Sequence, residues 1–315
     1  MEDFAPVTEQ IARLERVAQR EAGRAIGPLA AAARGGLLSA ASAIAGDPAS
    51  HVAFVTGCFV PRAAPPACET DGPVGAALAA AALRALGVPA RLVTDARCGA
   101  VVRAAAGAAP AAGGDTPGAA LPVHVGDEPG ALARELGAAG VTHVVFCERL
   151  GPGADGVVRN MHGDDVTAVT APLHTLAAGP WTASGIGDGG NEVGMGALAP
   201  ALLAAALPHG ERIRCAVACD HLIVAGISNW GAIALALAVG LLRGEAGRRA
   251  PRTAAPGDAA RAATALAPAA HDAVLAAAVR AGAVDGVLAR RSETVDGLAP
   301  ADQRRQLAAL LSACV

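Results

Sequence analysis

The chain has 315 residues, 53% of them hydrophobic and 17% charged, with a formal net charge of −3; it is long enough to bury a large core and carries no basic footprint for nucleic acid. All 25 basic residues are arginines, scattered and not interleaved with aromatics, which make up 2% of the chain. Much of the apolar fraction is alanine, which buries little area, so no membrane protein is implied and a small molecule is the expected partner.

Glu2 and Asp3 precede a polar, helix-like stretch over residues 7–24. This start lacks the basic-then-apolar layout of an export signal, which predicts a cytoplasmic chain. From there apolar, β-rich runs alternate with alanine-rich helical stretches: 51–56, 90–94, 121–125, 142–147, 181–187 and 213–218, with 222–225 close behind. Strands alternating with helices pair in parallel through right-handed crossovers, and runs apolar throughout belong to strands covered on both sides. The expectation is an α/β fold with a doubly wound, mostly parallel sheet and helices on both faces, Rossmann-like and three-layered. One domain is expected over residues 1–315, with a helical segment at 1–50 and the α/β core at 51–315.

Residues 104–118 and 246–256 read as surface loops. Residues 222–242 carry no charge, but Gly226, Ser228, Asn229 and Gly231 split them into a strand and a helix too short to span a bilayer. Seven cysteines form no CxxC pair, and Cys58, Cys147, Cys215 and Cys219 lie in apolar runs. They are expected to be buried, reduced thiols, not a disulfide framework or a zinc site.

An open parallel sheet places its site beyond the carboxyl ends of its strands. There the sequence puts Glu69, Thr70 and Asp71, then Asp95, Glu148 beside Arg149, Asp188 with Asn191 and Glu192, and Asp220. Five segments delivering carboxylates to one edge predict either a site or a solvated acidic rim. Carboxylates so gathered need protons or a cation. The oxygen ligands favour Mg²⁺ or Mn²⁺, held by Asp71, Asp95, Glu148 and Asp220, with Glu69 and Asp188 as alternates.

Gly185 to Gly190 satisfies GxGxxG after a strand-like run, the pattern of a dinucleotide site. Asp188 and Glu192 would repel a pyrophosphate there, so no NAD is expected. The other reading is a tight loop whose Gly189 and Gly190 amides face a carboxylate, or simply a sharp turn capped by Asn191.

GIGDGGNEVGMG (185–196) resembles the glycine-rich signature of D-glutamate cyclases. VTGCFVPRAAPPACETDGPVGA (55–76) is similar to that family's opening strand and ETDGP loop, and ERLGPGADGVVRNMHGDDV (148–166) to its Glu-Arg to Asn-Met segment. CDHLIVAGISNWGAIALA (219–236) and GAVDGVLARRSETVDGL (282–298) resemble its Gly-x-Ser-Asn-Trp-Gly and closing Val-Asp-Gly-Leu regions, so the resemblance runs through nearly the whole chain. Val157 and Val158 stand where relatives often carry aromatics, and Pro152 where a basic or small residue is frequent.

The resemblance implies closure of D-glutamate to 5-oxo-D-proline with loss of water, a lyase reaction on a small molecule that leaves self-association open. That chemistry asks for a base at the amine and an acid or metal at the γ-carboxyl. Asp188 and Glu192 are the candidate pair, with Asn191 and the Gly189 and Gly190 amides as oxyanion donors. Ser228 and Asn229 are candidates for the α-carboxylate, or a capped helix start. Thr70 is a further candidate substrate contact. Arg149 is either a carboxylate clamp or the ion-pair partner of the acidic cluster, and His221 beside Asp220 is the histidine expected near the site. A crevice so lined also suits a metal-dependent phosphoesterase or a non-catalytic carboxylate-binding protein.

Overall fold

The computed structural model describes residues 6–111, 120–249 and 258–314. Helices α1 (Val7–Ala18), α2 (Gly27–Ala32) and α3 (Gly36–Gly46) lead into strand β1 (Val52–Thr56), a small antiparallel pair β2 (Phe59–Val60) and β3 (Ala67–Cys68), and helix α4 (Pro73–Ala85). Then come β4 (Ala90–Thr94), α5 (Gly99–Ala108), β5 (Val123–Val125), α6 (Pro129–Ala138), β6 (His143–Cys147) and β7 (Thr182–Gly187). Helices α7 (Pro200–Ala206) and α8 (Gly210–Ile213) precede β8 (His221–Val224), and α9 (Ser228–Arg249), α10 (Asp258–Ala265), α11 (Pro268–Arg280) and α12 (Pro300–Ser312) follow it.

Six strands form one parallel sheet in the order β5-β4-β1-β6-β7-β8. Side chains alternate across it. Val52, Phe54, Leu92 and Val145 pack under α4 and α9 in one buried cluster, while Ala53, Val55, Val93, Val144 and Phe146 join Leu132 and Leu136 of α6 on the other face. Both faces are therefore covered, which is why the strands read as unbroken apolar runs. The chain winds outward from β1 through β4 to β5, then returns to β6 on β1's other flank. This reversal leaves a crevice beyond Thr56 and Cys147, where parallel sheets bind ligands.

Several expected elements differ. Residues 213–218 are not a strand. They finish α8 and cross beneath the glycine-rich loop, where Cys215 N–H donates to Gly190 O and Gly194 and Gly196 N–H donate to Val217 O, so β8 pairs directly with β7. The first expected loop begins as α5, with residues 112–119 outside the described ones; the second begins inside α9, with residues 250–257 likewise outside. Helix α9 has 22 residues, longer than expected from its uncharged stretch, and Trp230 and Ile233 are buried in the core.

Residues Ala262–Arg280 are apolar and long enough to cross a bilayer by hydropathy. They break between α10 and α11, where Pro268 opens the second helix, and Leu266, Val274 and Leu275 are buried in the core.

Candidate functional site

The site is built where α9 begins. The Ser228 backbone N–H is shared by Asp71 Oδ2 (3.1 Å) and Asp188 Oδ2 (3.0 Å), and the Asn229 N–H donates to Asp71 Oδ1 (2.8 Å). These first amides of the helix have no partner within it, and its positive end favours carboxylates. Ser228 Oγ donates to Glu148 Oε2 (2.6 Å), and Asn229 Oδ1 accepts from the Gly72 and Gly75 amides at 2.9 and 2.7 Å, capping α4. Ser228 and Asn229 thus tie three loops together, with their polar atoms turned to protein groups.

Arg24, from the loop before α2, completes the cluster: Nη1 pairs with Asp188 Oδ1, and Nη2 lies 2.7 Å from Asp296 Oδ2 without hydrogen-bond geometry. Six carboxylates, Glu69, Asp71, Glu148, Asp188, Glu192 and Asp296, are buried here. Glu148 and Asp296 hold left-handed backbone at φ 46° and 52°, a cost borne at few non-glycine positions. Burial lifts the carboxyl groups of Glu69, Asp71, Glu148 and Asp188 above their ordinary range, Asp71 to about 7. Mutual repulsion adds to the shift while Arg24 opposes it. Burial alone would depress the Arg24 guanidinium, but Asp188, Asp296, Glu148 and Glu192 outweigh it and hold it above its ordinary value.

Above the cluster a pocket encloses ≈ 460 Å³ including its open mouth; Arg24, Arg62, Glu69, Glu148, Asn160 and Asn191 are among its lining residues. Glu69 Oε1 has no hydrogen-bond partner, and a Cβ on Gly286 would fall 1.9 Å from Glu69 Oε2, so only glycine leaves that carboxylate its place. A second pocket opens beside the first and shares Arg24, Met161 and His162 with it.

The expected site residues separate on this frame. Glu69, Asp71, Glu148, Asp188 and Glu192 come together, and Asn191 lines the pocket while its Nδ2 donates to Arg159 O (2.9 Å). Glu192 does not face the pocket. Its oxygens accept the Gly189 and Gly190 amides at 2.6 and 2.7 Å, so the amides expected to receive a substrate carboxylate already hold an internal one, in the place a pyrophosphate would need. Gly187 makes this possible, since a Cβ there would meet Glu192 Oε2 at 2.7 Å. Asp188 lines neither pocket, and Thr70 Oγ1 donates to Thr294 O (2.9 Å).

Asp95 pairs with Arg149 (Nη1–Oδ2 2.6 Å) and accepts the Cys98 N–H at the start of α5. Fully buried Arg149 also donates to Gly57 O and Ala171 O, so of its two expected roles the ion pair is the one formed. Asp220 and His221 fall at the opposite edge of the sheet, because β8 starts at His221 instead of ending there. Asp220 Oδ2 accepts the Ala183 N–H (2.8 Å), and His221 Nδ1 meets Ser39 Oγ. His162 is the histidine at the site.

Sequence reasoning missed Arg24, Arg62 and Asp296. Asp296 lies inside the closing Val-Asp-Gly-Leu region, where a signal was available; Arg24 sits in a polar segment that offered none. Buried Asp285 shapes the Asp296 loop, accepting from Thr294 Oγ1 (2.6 Å) and the Gly297 N–H (2.7 Å).

Two sets of three carboxylates, Asp71 with Asp188 and Asp296, and Glu148 with Asp188 and Glu192, bring oxygens within 4.8 Å of one another and could hold a metal ion. Fold and site together define an α/β protein with a carboxylate-rich small-molecule pocket at the switch point of a parallel sheet. The sequence matches the family described as "D-glutamate cyclase-like, C-terminal" over residues 14–311, and the chain belongs to that family. It is 37% identical over 105 residues to the human protein named "D-glutamate cyclase, mitochondrial". That match covers 32% of this chain and 17% of the human protein.

Proposed function

We propose that the chain is an enzyme closing free D-glutamate to 5-oxo-D-proline with loss of water, in the pocket over Glu69 and Glu148. The observation that carries this reading is a pair of buried carboxyl groups, raised in pKa, on the wall of the switch-point pocket of a chain from this family. In the reaction the α-nitrogen bonds to the carbon of the γ-carboxyl group and one oxygen of that carboxyl departs. The ammonium gives up two protons, one before the attack and one as the C–N bond forms, and both leave with that oxygen as water. Glu148, held by Ser228 Oγ, and Glu69, with one oxygen unpartnered, are the residues we assign to these transfers; each such role contributes ~10²–10⁴ in rate. Asp188 and Glu192, already engaged by Arg24 and the loop amides, act behind them. Ring closure within one molecule gains an effective molarity of up to ~10⁵–10⁸ M when well oriented, so no activated acyl group is required.

A divalent cation fits the donor set. Six buried carboxylates face one guanidinium, and both Asp296 oxygens lack a hydrogen-bond donor. Asp71, Asp188 and Asp296 would hold the ion, and all-oxygen ligands favour Mg²⁺ or Mn²⁺. When bound it would polarise the γ-carboxyl as a Lewis acid.

The test is to incubate metal-supplemented protein with D- or L-glutamate and assay 5-oxoproline. Product from the D form is expected; product from the L form alone, or from neither, overturns the reading. Chelated, verified metal-free protein should melt lower and recover on adding Mn²⁺, since an ion at 100 times its Kd stabilises the native state by about 2.7 kcal/mol.

A further inference from the structure

We infer that Arg24 and Arg62 divide the two carboxylates of a five-carbon dicarboxylate between them, Arg62 at the rim taking the α-carboxylate and Arg24 at the floor the γ-carboxylate. The assignment of α and γ rests on the D-glutamate reading. Both arginines line the pocket together with Glu69 and Glu148, so two guanidiniums and two carboxyl groups face a ligand with two carboxylates and one ammonium. The two guanidiniums match the two carboxylates in charge and in number.

Each arginine is anchored but not used up. Arg62 is exposed, and its Nη2 donates to Gly286 O (2.8 Å) and Val287 O (3.1 Å). Carbonyls fix its position without cancelling its charge, and its Nε and Nη1 donors remain. Arg24 has one Nη on Asp188 and the other against Asp296, its side chain is 15% exposed, and it too lines the pocket. A guanidinium has five donors in a planar fork, so Arg24 can keep its aspartates and still receive a carboxylate. The roles follow from depth. Bond making occurs at the carbon of the γ-carboxyl group, which must approach Glu148 and the cluster where Arg24 sits, while the α-carboxylate is a spectator that fits the rim. Glu69 and Glu148, on the wall of the same pocket, receive the ammonium between the two forks.

The experiment is calorimetric titration of wild type, Arg24→Gln, Arg24→Lys and Arg62→Gln with D-glutamate, glutarate and 5-oxo-D-proline. The product keeps only the α-carboxylate. Arg62→Gln should therefore weaken all three ligands about tenfold or more, whereas Arg24→Gln should weaken D-glutamate and glutarate by that factor and leave 5-oxo-D-proline within about twofold. Arg24→Lys retains charge on Asp188 and Asp296 but lacks the fork, so it should show the same selective loss and serves as the reporter if Arg24→Gln fails to fold. Failure of wild type to bind glutarate, or glutarate affinity unchanged in either arginine's variants, overturns the inference. Arginine-dependent glutarate binding without turnover of D-glutamate would overturn the proposed activity and leave the dicarboxylate site standing.

Discussion

Two arginines occupy the crevice beyond the strand ends, and their surroundings differ. Arg149 is matched by one carboxylate, Asp95, and two carbonyls at its Nη atoms, its Nε has no hydrogen-bond partner, and no solvent reaches it. Around Arg24 there is an excess of acid, with two direct carboxylate partners, more close by, and an opening to two pockets. A buried charge that is fully paired holds structure together, while a cluster that one cation cannot neutralise stays ready for protons, metal or an ammonium ligand. The Asp95–Arg149 pair is the scaffold side of the crevice, and the carboxylate cluster around Arg24 is the side to which we assign the chemistry.

The largest expected effect breaks the scaffold side. Arg149→Met should destabilise the protein by ~3–5 kcal/mol, because Asp95 is left buried without its ion partner; adding Asp95→Leu should recover part of that loss. Denaturant melts of the three proteins decide it, and a double variant no more stable than Arg149→Met would show that the pair is not the relevant unit. On the chemical side, Glu148→Gln should lower kcat ~10²-fold or more with little change in melting temperature, since it keeps volume and the Ser228 contact but cannot transfer a proton. Wild-type turnover in that variant would remove Glu148 from the assigned pair.

A third test carries the comparison into the apolar core. His271 is buried with neither ring nitrogen hydrogen-bonded, and burial depresses its pKa to about 4. The unfolded chain then binds the proton more readily than the folded one between pH 6.5 and 4, so stability is full above pH 6.5 and falls as pH drops. The loss should reach about 2 kcal/mol by pH 5, and His271→Leu should flatten that part of the profile. Equal slopes in both proteins would sink the assignment. The smallest effect belongs to Asp220→Ala at the opposite sheet edge. It should cost ~1 kcal/mol through the Ala183 amide it leaves unpaired, with kcat unchanged; a large kcat loss would place Asp220 in the chemistry after all.

The sequence by itself determined the parallel α/β sheet, because apolar runs at strand length between helical stretches have few other ways to bury both faces, and the positions of β1, β4, β6 and β7 follow within a residue or two. It also determined that Glu69, Asp71, Glu148, Asp188 and Glu192 would converge, since each follows a strand or loop at the carboxyl edge. Asp220 failed because the apolar run at 213–218 has strand composition yet crosses under the glycine-rich loop, which moved the true strand past it. Only the tertiary structure decided which of these groups remain available: Glu192 is absorbed by the amides of its own loop and Asp95 by Arg149. Only the tertiary structure, too, brought in Arg24 and Asp296, 272 positions apart in the chain. Local sequence carries periodicity, and with it the fold class. Partnership between charges depends on distances that exist only after the chain has closed on itself, so the pairing of Arg24 with Asp188 and Asp296 had no local signal to read.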